Sequence, residues 1–232
     1  MTDYKLLLLD ADNTLFDFGA AELYALETTF RDFGWDYNKD VYSFYHHCND
    51  TLWKALERGE VTRSALKVLR FEQTRAWMLQ NGYAAPEWDY DAMCVRYLVH
   101  LGESAVLFEG ADALCKELKK LYRLALITNG TASVQYSRMK ASGMERHFEK
   151  LFISEEIGAE KPSLHFFERV FAAYPEIKRK EMLVIGDSVS SDIKGAYCAG
   201  IDACLIFTEK CPENIPVKYQ VKSFDELKNI LL

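Results

Sequence analysis

The feature that most constrains the fold is a run of four leucines, Leu6 to Leu9, that stops at Asp10 and is followed by a second acid, Asp12. Four apolar residues are too few to span a membrane. Their lack of alternation means that both faces are to be buried, which marks an interior strand of a parallel sheet. Such strands present their carboxyl ends to a ligand crevice. In extended chain, residues i and i+2 share a face with alpha carbons about 6.5 Å apart, so Asp10 and Asp12 are expected at the mouth of one site. At that spacing one carboxylate can attack a phosphorus atom while the other exchanges a proton at the leaving-group oxygen or with water.

The same pattern recurs down the chain. Arg123 to Thr128 is a second apolar strand, ending in Thr128-Asn129-Gly130, which combines a hydroxyl, an amide and a flexible backbone before a helix that runs through Met139. Leu151 to Ser154 reads as a short third strand. Glu160-Lys161-Pro162 then opens a helix, and because a residue before proline is biased to extended geometry, Lys161 is held clear of that helix and free to aim its ammonium at a pocket. Met182 to Gly186 is another buried strand, followed by Asp187 and, five residues on, Asp192. A strand over Ala203 to Phe207, an edge strand and a last helix complete the alternation. Between the first two strands, by contrast, apolar residues recur at helical spacing through 20–33, 41–58, 64–81 and 90–101 with no strand among them. This is an all-helical insertion in an α/β chain.

Composition narrows the function. A formal charge of -7 argues against a nucleic-acid polymer or an anionic membrane as partner, since both need a basic surface. Six cysteines, Cys48, Cys94, Cys115, Cys198, Cys204 and Cys211, form no C-x-x-C pair, so free thiols are expected rather than a zinc or redox site. The apolar run at the amino terminus is too short for a signal peptide, which points to the cytoplasm. The oligomeric state is left at monomer or homodimer.

Strands ending at Asp10, Thr128 and Asp187 gather Asp10, Asp12, Asp187 and Asp192 at one sheet edge. Four carboxylates in one site repel without a cation, and a hard oxygen set with room for water and phosphate suits Mg²⁺. Lys161 and Thr128 would hold phosphate oxygens. Hydrolysis of a phosphate monoester needs accelerations of up to about 10²¹, so metal, ammonium, nucleophile and acid together are proportionate to it.

In these residues the chain resembles the haloacid dehalogenase superfamily, whose members share D-x-D-x-T, a strand-ending Ser or Thr, a Lys and a paired-acid motif in this order. The resemblance implies an α/β fold: a Rossmann-like parallel sheet core, here over 1–16 and 103–232, with an inserted helical C1-type cap over 17–102. The segments Ile127 to Gly130, Ile153 to Gly158 with Lys161-Pro162, and Gly186-Asp187-Ser188 with Asp192 are most similar to its pyrimidine 5'-nucleotidase branch, as are cap residues Leu52-Trp53, Glu57 to Glu60 and Arg70-Phe71. Carried over, the family makes Asp10 the nucleophile that becomes an aspartyl-phosphate and Asp12 the general acid and base. Asp10, the Asp12 backbone carbonyl and Asp187 would bind Mg²⁺, Asp192 would support its water shell or anchor Lys161, and Thr128, Asn129 and Lys161 would bind phosphate. Asn49, Trp53 and Arg70 in the cap are candidates to meet a base and sugar.

The implied activity is a Mg²⁺-dependent phosphatase acting on a small phosphorylated molecule, first a nucleoside 5'-monophosphate and, as the alternative, a sugar phosphate or phosphoglycolate. A phosphomutase uses the same catalytic residues and differs in its cap contacts. Asp12 weighs against a 2-haloacid dehalogenase, which lacks that acid, and the retention of Asp10, Asp12, Lys161 and Asp187 weighs against a binding module without catalysis.

Overall fold

Leu6–Leu9 forms β1, and all four leucines are fully buried because the strand lies inside a parallel sheet and is covered on both faces. The computed structural model describes residues 3–208 and 215–232. Among these the sheet has six parallel strands, β1, β2 (Arg123–Thr128), β3 (Lys150–Ile153), β4 (Met182–Gly186), β5 (Asp202–Ile206) and β6 (Tyr219–Val221), in the order β3-β2-β1-β4-β5-β6. β1 pairs with β2 from Leu6 opposite Arg123 to Leu9 opposite Leu126, and with β4 from Leu6 opposite Met182 to Leu9 opposite Ile185. The order reverses direction on either side of β1, so the carboxyl ends of β1, β2 and β4 open together at the switch point where such sheets bind ligands.

The helices are α1 (Phe18–Phe33), α2 (Lys39–Glu57), α3 (Arg63–Gln80), α4 (Tyr90–Glu103), α5 (Ala111–Leu118), α6 (Ala132–Ala141), α7 (Ser154–Ile157), α8 (Leu164–Ala173), α9 (Lys194–Ala199) and α10 (Phe224–Leu231). The chain divides into two compact units, Met1–Phe18 with Ala105–Leu232, and Gly19–Ser104. In the sheet unit, alternate residues of each strand feed two cores. Leu7, Leu9, Leu126 and Ile185 pack with Leu114 and Leu118 of α5 and Leu227 and Leu231 of α10, while Leu6, Leu8, Ile127 and Val184 pack with Phe166, Phe167 and Val170 of α8 and Ala196 of α9. At about 1.5–3 kcal/mol for each fully buried Leu, Ile or Phe side chain, these layers hold the strand ends still.

The helical unit is built from α1 to α4, whose amphipathic spacing is reinforced by capping side chains. Asn38 accepts from the amides of Asp40 and Val41, Thr62 from Ala65, and Asp89 from Asp91 and Ala92. Cys48, Leu52, Leu56 and Leu66 form one of its apolar cores. No helix among the described residues is long and apolar enough to cross a membrane. Cys48, Cys94, Cys115 and Cys204 are buried free thiols and Cys198 an exposed one; Cys211 lies outside the described residues.

Local geometry corrects the sequence reading in three places. The helix after Lys161-Pro162 starts at Leu164, where the Ser163 hydroxyl caps the amide of His165. A one-turn helix, α7, follows β3 directly. The strand carrying Asp10 does not continue through Asp12, because the chain turns back at Asn13, which adopts a left-handed conformation with φ of 59°. Asparagine is one of the few non-glycine residues that accept such a φ readily.

Candidate active site

Asp10 follows β1 directly and its amide donates to the Ile185 carbonyl, so its side chain is delivered at the centre of the sheet edge. There it meets Lys161, whose ammonium lies 2.5 Å from Asp10 Oδ1, 2.6 Å from Asp192 Oδ1 and 3.0 Å from the Ile127 carbonyl. All three ammonium protons are thereby used, and the side chain is only 1% exposed. Burial works against the charge on Lys161, but Asp10 and Asp192 outweigh it and hold the amine above its ordinary range.

Asp187 and Asp192 arrive by different routes. Asp187 follows β4 directly, and its carboxylate accepts a hydrogen bond from the Thr14 hydroxyl at 3.3 Å. Asp192 is turned inward by a single π-helical turn, Val189–Ile193, a feature frequent at functional sites. Its Oδ2 accepts from the Ser188 amide at 3.2 Å. A Cβ on Gly186 would fall 2.2 Å from that oxygen, so glycine ends β4 to make room for the acid. This is the physical content of the Gly186-Asp187…Asp192 motif.

Thr128 closes β2, buried, and its hydroxyl accepts from the Gly130 amide at 3.0 Å. Asn129 reaches the site through Lys161: its Nδ2 donates to the Lys161 carbonyl at 2.9 Å and its Oδ1 accepts from the Lys161 amide at 2.8 Å. The carboxamide thus grips the main chain on both sides of the Lys161 alpha carbon and fixes where the lysine side chain starts. Lys161 is joined to Pro162 by a cis peptide.

The structure places Asp12 apart from the other acids. Its Oδ2 accepts from Gln135 Nε2 at 2.7 Å and its Oδ1 is ion-paired with Arg138 Nη1. Neither partner stands out in the sequence as a site residue. Val134, Gln135, Arg138 and Met139 make up the buried face of α6, and the spacing of a glutamine and an arginine on the inner side of the helix after Thr128-Asn129-Gly130 is the signal that could have found them.

The three cap candidates separate. Asn49 and Arg70 lie in one buried network of the helical unit, with Asn49 Nδ2 donating to Glu22 Oε1 at 2.8 Å and Arg70 Nη1 to Asn49 Oδ1 at 3.4 Å. The Arg70 guanidinium also lies 4.4 Å over the Tyr97 ring. Trp53 stands outside this network, packed against the Cys48 and Leu52 core with Arg63 5.4 Å over its ring.

Asp10, Asp187 and Asp192 each offer an oxygen, and these lie within 4.8 Å of one another. The carboxylate of Asp12 is not in this cluster. Burial first, then repulsion from Asp192 and Asp187, pushes Asp10 well above the usual carboxylate range against the pull of Lys161. Burial and Asp192 push Asp187 up to about 7. Three acids facing one ammonium are short of positive charge, and an all-oxygen donor set fits a hard divalent cation.

Residues 4–200 match the haloacid dehalogenase-like hydrolase family. The chain is 36% identical to the HAD-hydrolase YfnB of Bacillus subtilis, with 100% of this chain and 97% of that one covered. It is 31% identical to the pyrimidine 5'-nucleotidase PynA of Streptococcus pneumoniae (98% and 97% covered) and 28% identical to the pyrimidine 5'-nucleotidase YjjG of Escherichia coli (97% and 96%). The crystal structure of YfnB bound to magnesium superimposes with a TM-score of 0.90 at 34% identity over 98% of both chains.

Proposed function

The chain belongs to the haloacid dehalogenase-like hydrolase family, and on that premise we propose that it is a Mg²⁺-dependent phosphatase for small phosphate monoesters, most of all pyrimidine nucleoside 5'-monophosphates. The observation that carries the reading is the division of labour between two carboxylates two residues apart. Asp10 shares a cluster with Lys161, Asp187 and Asp192, whereas Asp12 is held outside it by Gln135 and Arg138. Two acids in such different surroundings suit a nucleophile and a proton carrier.

In this reading an Asp10 oxygen forms a bond to phosphorus as the bond to the leaving-group oxygen breaks. That oxygen takes the proton of the Asp12 carboxyl. Water then attacks the aspartyl-phosphate, gives a proton back to Asp12 and releases inorganic phosphate as Asp10 is regenerated. Lys161 neutralises Asp10 between turnovers and offers its ammonium to the transferring phosphoryl oxygens, and Thr128 and the main chain at Asn129 bind the same group. The Asn129 side chain contributes by holding Lys161 in place. Asp10, Asp187 and the Asp12 carbonyl, with Asp192 behind them, would hold Mg²⁺, which would supply charge neutralisation at the phosphoryl group.

Phosphate release from a panel of ribo- and deoxyribonucleoside monophosphates, hexose phosphates and phosphoglycolate, with and without Mg²⁺, tests the reading. Turnover favouring pyrimidine nucleotides, dependent on Mg²⁺ and lost in Asp10→Asn, is the expected result. A preference for another phosphate keeps the catalytic assignment and removes the nucleotidase one, and no turnover of any member overturns both.

A further inference from the structure

Arg138 is fully buried, with its guanidinium 4.4 Å over the Phe16 ring and one nitrogen on Asp12. Its Nε and Nη2 are buried without a hydrogen-bond partner. A buried arginine that leaves donors unmatched stabilises a fold poorly, and an apolar side chain of similar volume would serve the core as well or better. What the arginine does secure is the position of one carboxylate. Gln135 is equally committed: it is 1% exposed, its Nε2 is 2.7 Å from Asp12, and a Cβ on residue 130 would fall 2.2 Å from that nitrogen. Gly130 is therefore the space in which the Gln135 amide sits.

We infer that Gln135 and Arg138 are positioning residues for Asp12, an inference that rests on the phosphatase reading above. Each Asp12 oxygen accepts one bond from the clamp and retains a lone pair, and the side chain is still 25% exposed. The clamp thus fixes the carboxyl group while leaving it open to the reacting oxygen. Its work falls on the transfer of the Asp12 proton to the departing oxygen as the Asp10–phosphorus bond forms and the phosphorus–oxygen ester bond breaks.

A leaving group that departs as a stable anion does not need that proton. The test compares kcat/KM, which covers the chemistry up to the phosphoenzyme, for a nucleoside 5'-monophosphate and for p-nitrophenyl phosphate in Arg138→Met, Gln135→Leu and Arg138→Lys. For Arg138→Met the expected loss is about 10²-fold on the nucleotide and about 5-fold or less on the nitrophenyl ester, the size of one general acid. Gln135→Leu should show the same split, and Arg138→Lys should recover part of the nucleotide rate. Asp12→Asn supplies the reference split. Equal losses on both esters, in either the Arg138 or the smaller Gln135 substitution, would overturn the clamp while leaving the phosphatase reading intact. A wild-type enzyme inactive on the nitrophenyl ester and on every phosphate of the panel would overturn the reading itself and the clamp with it.

Discussion

Asp187 makes the metal-free protein sensitive to pH in a direction that can be worked out. Its carboxyl is raised from an ordinary 3.8 to about 7, first by burial and then by Asp192. A carboxyl raised in the folded state keeps a proton that the unfolded chain has already lost. Stability therefore falls as pH rises from 3.8 towards about 7, and levels off above. The whole interval corresponds to about 4 kcal/mol, and the part between pH 5.5 and 8 to about 2 kcal/mol. Asp10, also raised, adds to the loss in the same direction. Urea denaturation in the presence of a chelator at the two pH values measures it. The wild type should lose at least about 2 kcal/mol on going to pH 8, and Asp187→Asn should lose about 2 kcal/mol less than the wild type. Mg²⁺ should stabilise the wild type more at pH 8 than at pH 5.5, because a cation takes the place of the protons. A metal-free wild type that is flat or gains stability with pH, or an Asp187→Asn protein that follows it, would refute this account of the acidic cluster.

Other perturbations read other parts of the structure. Lys161→Met leaves Asp10 and Asp192 buried without their shared counter-ion; it should cost about 3–5 kcal/mol in denaturant unfolding and abolish turnover. Gly186→Ala brings a methyl group to 2.2 Å from Asp192 Oδ2, on a carboxylate that Ser188 holds by this oxygen and Lys161 by the other, so a loss of about 1–3 kcal/mol and a slower kcat are expected from thermal unfolding and kinetics. In the helical unit, His46 is held above 6.5 by its hydrogen bond to the buried Glu22. Its contribution to stability is present in full below about 6.5 and is lost as pH rises through the raised value, and an NMR titration should show that value drop in Glu22→Gln.

The sheet and most of the site were legible because they are written in contiguous sequence. A strand buried on both faces cannot alternate, so Leu6 to Leu9, Leu124 to Ile127 and Met182 to Ile185 announce themselves, and the polar residues that follow them, Asp10, Thr128 and, after Gly186, Asp187, lie at one edge of the sheet. The Asp12 clamp was not legible, because Gln135 and Arg138 are 123 and 126 residues away from their partner and a polar residue on a helix ordinarily faces water. The turn at Asn13 was hidden for a related reason: the spacing of Asp10 and Asp12 fits an extended chain as well as a bend, and only the Asn13 amide donating to the Phe16 carbonyl at 2.8 Å decides between them. Asn129 reads as a ligand for phosphate, whereas its side chain is engaged with the Lys161 peptide, a pairing that needs the loop after α7 in place.

The central claim is that Asp10 carries the phosphoryl group. Quenching the enzyme during turnover of the best substrate from the panel, reducing with borohydride and sequencing the peptides by mass spectrometry tests it directly, since an acyl phosphate is reduced to the alcohol and an aspartate so modified becomes homoserine. Homoserine at position 10, absent when Mg²⁺ or substrate is withheld, is the predicted result. Homoserine at position 12, or phosphate release with no modified aspartate in a protein whose Asp10→Asn form still turns over, would contradict it.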